Sequence, residues 1–330
     1  MALILTRTAI QQCITMREAI DAMRLAFGSL QAGSAHSPQR LSVQLEEQGV
    51  ALLMPSLLQT PKEHAFSLKL VTVIPQNPTR GYPRILATLM LLDATTGKTL
   101  AVLEGGWLTT LRTGAASGLA TELLAKPDAN VLALFGAGTQ APMQALAIHT
   151  VRPLQEVRVF NRNAQHFQQL VTQLQSLLGT ACPPILHVSS PTEALRGASL
   201  VACATVATSP LFSWQDIAPG THINAIGAFT PEMCEVDPAT LAHSRIVVDQ
   251  REAALSEAGD LLQALAASAI GGPETWSELG EVVNGLRPGR QSAEEVTCFK
   301  SVGHAVQDAA IALRVYTRAR EAGLGIEVEI

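Results

Sequence analysis

The sequence predicts an α/β protein in which a doubly wound parallel sheet is combined with a separate α+β segment. Two observations predict this fold class. From residue 131 onward, short apolar strands alternate with helices, which is the pattern of parallel βαβ units. Before about residue 110 the chain instead places one amphipathic helix ahead of several strands separated by turn residues, which favours an antiparallel or mixed sheet.

Composition limits the class of protein. The 330 residues suit about two domains, and 47% hydrophobic against 15% charged residues excludes a disordered tail. A net charge of −5 and 4% aromatic residues argue against a nucleic-acid partner. No secretory signal and no apolar run of membrane-spanning length is present, so no membrane partner is expected. We expect reduced thiols, no metal site and a cytoplasmic location from five scattered cysteines, namely Cys13, Cys182, Cys203, Cys234 and Cys298.

The first segment opens with a helix. Thr15 and Glu18 fit a capping box before apolar residues that repeat at helical spacing as far as Leu30. The stretch 33–38 breaks this helix. Turn residues then separate predicted strands over 41–45, 50–54, 66–74, 85–93 and 100–104, with Thr96-Gly97 at a hairpin tip.

The second segment alternates between strands and helices. A helix of small residues is predicted over 113–124. Strands follow over 131–135, 156–160, 200–204, 222–226 and 246–248, with helices over 141–150 and 164–178. The tail, 301–320, is predicted to be a long amphipathic helix.

A glycine pattern, Gly136-Ala137-Gly138-Thr139-Gln140-Ala141, follows the strand at 131–135 and opens the next helix. This is the context of the dinucleotide-binding fingerprint of Rossmann folds. Gly136 permits a tight turn, Gly138 lets the backbone approach a pyrophosphate, and Ala141 replaces the third glycine. The phosphates are expected at the N terminus of the helix. The alternative is a glycine-rich turn without a ligand.

The strand at 156–160 bears on the choice of cofactor. It ends in Asn161-Arg162-Asn163, without the carboxylate that would bind the ribose hydroxyls of NAD. The Arg162 guanidinium suits a 2′-phosphate, and the two asparagines offer amide donors. The segment therefore predicts NADPH, with NADH as the alternative. Arg162 is otherwise read as a solvated loop residue.

Three cations stand out in a chain that is poor in charge. Lys69 lies within an apolar strand, Arg112 just before the helix of small residues, and Arg40 after the break at Ser37-Pro38. Taken singly, each is read as an exposed charge. Together, facing a nicotinamide, they suit a small carboxylate, which an arginine binds in bidentate geometry.

Motifs along nearly the whole chain resemble the ornithine cyclodeaminase/mu-crystallin family. Their order and spacing carry the resemblance; they are Pro38-Gln39-Arg40, Met54-Pro55, Lys69-Leu70-Val71, Leu108-Thr109-Thr110-Leu111-Arg112-Thr113, the glycine pattern above, Ile223-Asn224-Ala225-Ile226-Gly227-Ala228, Glu257-Ala258-Gly259-Asp260 and Phe299-Lys300-Ser301-Val302-Gly303. The resemblance implies a Rossmann-type sheet inserted in an α+β substrate and dimerisation domain. The expected domains are 1–113 with 304–330, and 114–303, in a homodimer.

The resemblance also implies functions for individual positions. Arg40, Lys69 and Arg112 match positions that bind the substrate carboxylate, and Met54 is placed beside them. The segment Asn161-Arg162-Asn163 resembles the version that receives the phosphate of NADPH. The remaining expected cofactor contacts are Thr113, Thr205, Ala225, Ile226 and Gly227.

One departure from the family pattern concerns the substrate. Cyclodeaminases and related alanine dehydrogenases carry an aspartate where this chain has Phe229, which neither accepts a proton nor pairs with an ammonium group. The version Gly227-Ala228-Phe229-Thr230-Pro231 resembles members that reduce cyclic ketimines. Phe229 would give such a ring an apolar wall. The alternative is that Phe229 only packs behind the nicotinamide and leaves the substrate undetermined.

We therefore predict NAD(P)H-dependent reduction of a cyclic imino acid, above all Δ1-pyrroline-2-carboxylate to L-proline, with Δ1-piperideine-2-carboxylate to L-pipecolate as a second reaction. Lys69, or a water that it holds, is the candidate proton donor. Three alternatives stay open: an ornithine cyclodeaminase, an amino-acid dehydrogenase, and a non-enzymatic binder of small molecules.

Overall fold

The computed structural model describes residues 1–61 and 64–329. The chain divides into two compact units, the first formed by Met1–Arg112 with His304–Ile330 and the second by Thr113–Gly303. This division places Thr113 in the second unit, whereas the predicted domains place it in the first. Lys62, Glu63 and Ile330, which the predicted first domain includes, lie outside the described residues.

The elements of the described chain are given in two series. The strands are β1 (Ala2–Leu5), β2 (Ala35–His36), β3 (Leu41–Gln44), β4 (Val50–Gln59), β5 (His64–Val73), β6 (Ile85–Leu92), β7 (Thr99–Glu104), β8 (Val131–Phe135), β9 (Glu156–Phe160), β10 (Ile185–His187), β11 (Leu200–Cys203), β12 (His222–Ala225), β13 (Ser244–Val248), β14 (Ser277–Glu278), β15 (Val296–Lys300) and β16 (Ile326–Val328). The α-helices are α1 (Arg7–Cys13), α2 (Met16–Gln31), α3 (Gly105–Leu124), α4 (Ala141–Val151), α5 (Ala164–Leu178), α6 (Pro191–Leu195), α7 (Pro238–Ala242), α8 (Arg251–Glu257), α9 (Gly259–Ala266), α10 (Leu279–Val283) and α11 (Ala305–Ala322). Among the described helices, none is long and apolar enough to cross a membrane.

The first unit contains a mixed sheet, as predicted. Its strand order is β16-β1-β7-β6-β5-β4-β2, with β3 also paired to β4, and only β1 and β7 run parallel among these pairs. The predicted hairpin between β6 and β7 is confirmed, because the Thr95 and Thr96 amides donate to the Asp93 carboxylate and Asp93 N–H donates to the Lys98 carbonyl. The capping box of α2 is also confirmed.

Strand β4 continues to Gln59, past the predicted end at Met54. Pro55 lies between the residues of β4 that pair with β3 and those that pair with β2. Its missing N–H therefore costs no ladder hydrogen bond to either of these two strands.

Helix α3 starts eight residues before the predicted start at residue 113. The Glu104 carboxylate accepts hydrogen bonds from the N–H groups of Gly106 at 2.7 Å and Trp107 at 3.0 Å. A carboxylate at this position satisfies the first amides and complements the helix dipole. Arg112 is consequently inside a helix, and the prediction that it precedes one is wrong.

The tail helix α11 and the inward face of β5 form the core of the first unit around Lys69. Residues Ala65, Ser67, Lys69 and Val71 alternate along β5 on its buried face, and α11 packs against β4 and β5. Met54, Val71 and Ala305 form a small apolar cluster here. The first unit therefore encloses a charged side chain between a sheet and a helix.

The second unit contains an entirely parallel sheet, in the order β10-β9-β8-β11-β12-β15-β13-β14. The order reverses at β8, which creates the topological switch point where doubly wound sheets bind ligands. The predicted fold class is thus confirmed. Strand β15, between β12 and β13, was not predicted.

Helix α11 begins at Ala305, four residues after the predicted start. The buried Asp249 carboxylate accepts hydrogen bonds from Ser301 Oγ at 2.9 Å, Val302 N at 2.9 Å and Gly303 N at 2.8 Å. These bonds hold the segment after β15 in a non-helical conformation.

We predict that Asp249→Ala lowers the free energy of unfolding by more than about 2 kcal/mol, because the three donors of this segment and the Gln250 amide lose a buried acceptor. Urea denaturation measures this. The exposed Asp128→Ala is the matched control, expected within about 0.5 kcal/mol of the unchanged protein. An equal effect of both substitutions would contradict this account of the segment.

Candidate functional site

Lys69 occupies the centre of the first unit. It lies in the middle of β5, opposite Met54 of β4 and Leu89 of β6, both of which are buried. Lys69 is only 1% exposed, so the reading of this residue as an exposed charge is wrong. A lysine this deeply buried needs a partner for its charge.

Asp308, in the first turn of α11, is that partner. Its Oδ2 atom lies 2.7 Å from Lys69 Nζ, and its Oδ1 atom lies 3.3 Å from Arg112 Nε. The Gln307 Oε1 atom accepts from Arg112 Nη1 at 2.7 Å and from His304 N at 2.9 Å. The start of the tail helix therefore orients two of the three predicted cations.

The pKa of Lys69 shows how the third cation relates to the cluster. Burial lowers the pKa of Lys69 to about 8; the attraction of Asp308 opposes this shift, whereas repulsion by Arg112 and Arg40 adds to it. Arg40, which is half-buried, thus acts on Lys69 electrostatically. Three cations and one carboxylate leave an excess of two positive charges in this cluster, which favours an anionic ligand.

Sequence reasoning missed Gln307 and Asp308. The available signal was Asp308, a charged residue among the apolar positions Ala305, Val306 and Ala309 of the tail helix. Lys69 was singled out by the same kind of signal in its strand. Each interrupts an apolar pattern because the other neutralises it.

The glycine loop of the second unit follows β8 at the switch point of the sheet. Gly136 has φ +98°, and a Cβ there would lie 2.6 Å from the Ala204 carbonyl oxygen, so only glycine fits. A Cβ at Gly138 would meet nothing within 4 Å, which leaves space for a ligand above the backbone. Gln140 gives α4 no side-chain cap. Together with Ala137 and Thr139, this loop has the form of a pyrophosphate cradle.

At the tip of β9, the side chains of the two asparagines make hydrogen bonds within the protein. The Asn161 amide donates to the Asn163 carbonyl at 2.8 Å, and its Oδ1 atom lies 3.1 Å from His187 Nε2. Asn163 Oδ1 caps α5 by accepting from Gln165 N and His166 N. The two asparagines therefore shape the loop, whereas Arg162 is exposed to solvent.

Thr205 and Gly227, which follow β11 and β12, are joined by the buried Glu235 carboxylate. Glu235 Oε1 accepts from Thr205 N at 2.6 Å and Thr205 Oγ1 at 2.8 Å, and Oε2 accepts from Gly227 N at 2.7 Å. A Cβ on Gly227 would lie 2.3 Å from the Thr205 carbonyl oxygen. The Thr205 hydroxyl is thus engaged within the protein. Sequence reasoning did not identify Glu235.

The remaining predicted residues fall into two groups. Thr113, Ala225 and Ile226 are buried in the second unit. Phe229 is 44% exposed.

Comparison with known proteins assigns the chain to a family. A model of the ornithine cyclodeaminase/mu-crystallin family matches residues 1–323. A Δ1-pyrroline-2-carboxylate reductase of Bacillus cereus is 37% identical over 99% of both chains. An alanine dehydrogenase of Archaeoglobus fulgidus is 33% identical over 99% of this chain and 98% of its own. The structure of Thermococcus litoralis Δ1-pyrroline-2-carboxylate reductase, in complex with NADH and L-proline, has a TM-score of 0.92 at 35% identity, covering 99% of this chain and all of that one.

We predict that Lys69 loses its proton near pH 8, and at a lower pH in Asp308→Asn, because that substitution removes the attraction that raises the pKa of the ammonium. The chain has five lysines, so selective 13Cε labelling of lysine resolves their titrations by NMR. The resonance that disappears in Lys69→Arg is assigned to Lys69. Asp128→Asn in the other unit is the control. An unchanged midpoint of the Lys69 titration in Asp308→Asn would contradict the ion pair.

Proposed function

The chain belongs to the ornithine cyclodeaminase/mu-crystallin family, and from this premise we propose that it is an NAD(P)H-dependent reductase of cyclic imino acids. The proposed reaction converts Δ1-pyrroline-2-carboxylate to L-proline. The observation that carries it is the buried cluster of Lys69 and Arg112 around Asp308, which holds more positive than negative charge. The names of the relatives from Bacillus cereus and Thermococcus litoralis support the choice of substrate.

The cluster is suited to hold the substrate by its carboxylate. Arg112 is fixed by Asp308 and Gln307, so its guanidinium is ordered before a ligand arrives. Such preorganisation lowers the entropic cost of binding and contributes to the rate by positioning. Arg40 and Lys69 complete the clamp.

Lys69 is also the proposed source of the proton. An ammonium group with a pKa of about 8 is largely protonated at neutral pH yet donates more readily than an ordinary lysine. Asp308, 2.7 Å from Nζ, restrains the group in one orientation. The bound nicotinamide dinucleotide supplies the hydride.

Phe229 favours an imine over an amine-bearing substrate. Its ring offers neither charge nor hydrogen-bond acceptor for an ammonium group, which ornithine and acyclic amino acids present. Because the ring is partly exposed, it is accessible as an apolar wall for a ligand. A six-membered ring, Δ1-piperideine-2-carboxylate, is the second substrate that we propose.

For the cofactor we propose NADPH, with NADH as the alternative. The glycine loop suits the pyrophosphate of either, since Gly136 permits the tight turn and Gly138 leaves space above the backbone. The tip of β9 bears the exposed Arg162 and no carboxylate, which supports a 2′-phosphate at this position. The structure of the Thermococcus litoralis relative contains NADH, which supports the alternative.

We further propose a homodimer formed through the outer face of the first sheet. Register places Leu41 and Leu70 in one row across the strands, and Val43 and Leu86 in the next, all on the face opposite Lys69. These four side chains are exposed. A contiguous apolar patch of this kind favours a protein partner. The archaeal alanine dehydrogenase at 33% identity is described as a dimer.

Five free thiols accord with a cytoplasmic location.

The proposed function is tested by assaying purified protein for NADPH and NADH oxidation with Δ1-pyrroline-2-carboxylate. Ornithine, with ammonia release as the readout, and pyruvate plus ammonia are the comparison reactions. We expect turnover of the cyclic imine to exceed both. Faster ammonia release from ornithine, or faster reduction of pyruvate with ammonia, would assign one of the other activities. Binding of NADPH without turnover of any imino acid would indicate a small-molecule binder.

Arg112→Ala is expected to lower kcat/KM for Δ1-pyrroline-2-carboxylate by more than tenfold, or about 1.4 kcal/mol, mainly through KM. The exposed Arg80→Ala in the same unit is the control and should leave both constants in place. A smaller decrease for Arg112→Ala, in protein shown by circular dichroism to be folded, would remove this residue from the clamp.

Arg162→Ala is expected to raise the KM for NADPH at least about tenfold while leaving the KM for NADH within about twofold, since only NADPH carries the 2′-phosphate. The two cofactors serve as each other's control. Equal effects on both would show that Arg162 has no part in recognising the phosphate.

A further inference from the structure

The buried Glu235 carboxylate has no role in the reaction as proposed above. It nevertheless bonds directly to the two loops, at Thr205 and Gly227, that we expect beside the nicotinamide. Both oxygens of Glu235 accept hydrogen bonds, and its side chain is fully buried. Burial raises the pKa of Glu235 and the charge of Asp260 adds to the rise, whereas Lys300 and the hydrogen bonds from Thr205 oppose it. The groups that contact its two oxygens are donors, an arrangement that matches a carboxylate, which only accepts.

A second buried pair fixes the backbone of Glu235. Asp260 Oδ1 accepts from Glu235 N at 2.5 Å and from Val236 N at 3.0 Å. Asp260 Oδ2 lies 2.5 Å from Lys300 Nζ, and neither residue of this ion pair is accessible to solvent. Both belong to motifs that the predicted function left unused, Glu257-Ala258-Gly259-Asp260 and Phe299-Lys300-Ser301-Val302-Gly303.

The cluster of Glu235, Asp260 and Lys300 carries one net negative charge. Two carboxylates face a single ammonium group, and the neighbouring thiols add no charge because burial raises the pKa of Cys298 to about 12 and that of Cys203 well above its usual value. A charge in this environment is screened far less than one at the surface. Its field therefore reaches the loops that it orients.

We propose that Glu235 is a positioning residue of the nicotinamide pocket, and that its buried cluster favours the oxidised, positively charged nicotinamide over the reduced, neutral ring. The inference rests on the proposed function, because it requires Thr205 and Gly227 to line the nicotinamide. Selective binding of the oxidised ring lowers the energy of the state that follows hydride donation. The cluster thus makes the bound cofactor a stronger reductant.

The experiment compares dissociation constants by calorimetry for NADP+ and NADPH, and for NAD+ and NADH. Glu235→Gln removes the charge at the loops. Asp260→Asn makes the cluster neutral without altering the side chain that contacts Thr205 and Gly227. Glu232→Gln, an exposed glutamate in the same segment, is the matched control. Circular dichroism verifies that each variant is folded.

In both Glu235→Gln and Asp260→Asn we expect the ratio of the oxidised to the reduced dissociation constant to increase about tenfold, with no change in Glu232→Gln. A cluster that only supports the fold would weaken the two forms equally, and that result would overturn the inference. An unchanged ratio in Asp260→Asn alone overturns it as well, should Glu235→Gln not fold. Wild-type protein that binds neither form would overturn the proposed function, and this inference with it.

Discussion

The Lys69 ammonium group and the Asp308 carboxylate lie 2.7 Å apart in an interior that the fold shields from solvent. Taking both charges out of water costs several kcal/mol per ion, and a well-packed apolar pair would be at least as stable. Stability alone therefore does not explain the pair. The ion pair requires that α11 packs on the first sheet, because only then does Asp308 reach Lys69. The same turn of the helix orients Arg112 through Gln307. The ion pair therefore links the start of the tail helix to the sheet and shapes the anion site.

The second unit also contains a buried cluster of charged side chains, but the net charge of that cluster is negative. Around Asp308 the charges leave an excess of two positives, whereas Glu235, Asp260 and Lys300 leave one negative. The first excess suits a carboxylate ligand, and the second suits a cationic nicotinamide ring. A buried cluster whose charges do not cancel pays a persistent solvation cost, which a complementary ligand relieves on binding. In this account each unit is adapted to one of the two molecules that react.

Local patterns in the sequence were sufficient for most elements and for the glycine loop. Gly136 follows a strand of apolar residues and its conformation excludes a side chain, so both the turn and its cause are visible in the motif. Lys69 and Arg112 could be singled out, but not their partners, because Asp308 is 239 residues from Lys69 in the chain and meets it only through folding. Glu235 carried no signal for the same reason. The sequence suggests amide donors for a ligand at Asn161 and Asn163. Their hydrogen bonds within the loop and at the start of α5 depend on local geometry, which composition does not specify. The early start of α3 likewise depends on Glu104 turning back onto the first amides.

The central claim is that the buried cations of the first unit recognise a carboxylate. Calorimetric titration of NADPH-saturated protein with L-proline and with L-prolinamide tests it most directly, since the two differ only in the group that the clamp would hold. We predict that L-proline binds at least about a hundredfold more tightly, because the amide brings no negative charge to Arg40, Lys69 and Arg112. Equal affinity for the two compounds would contradict it.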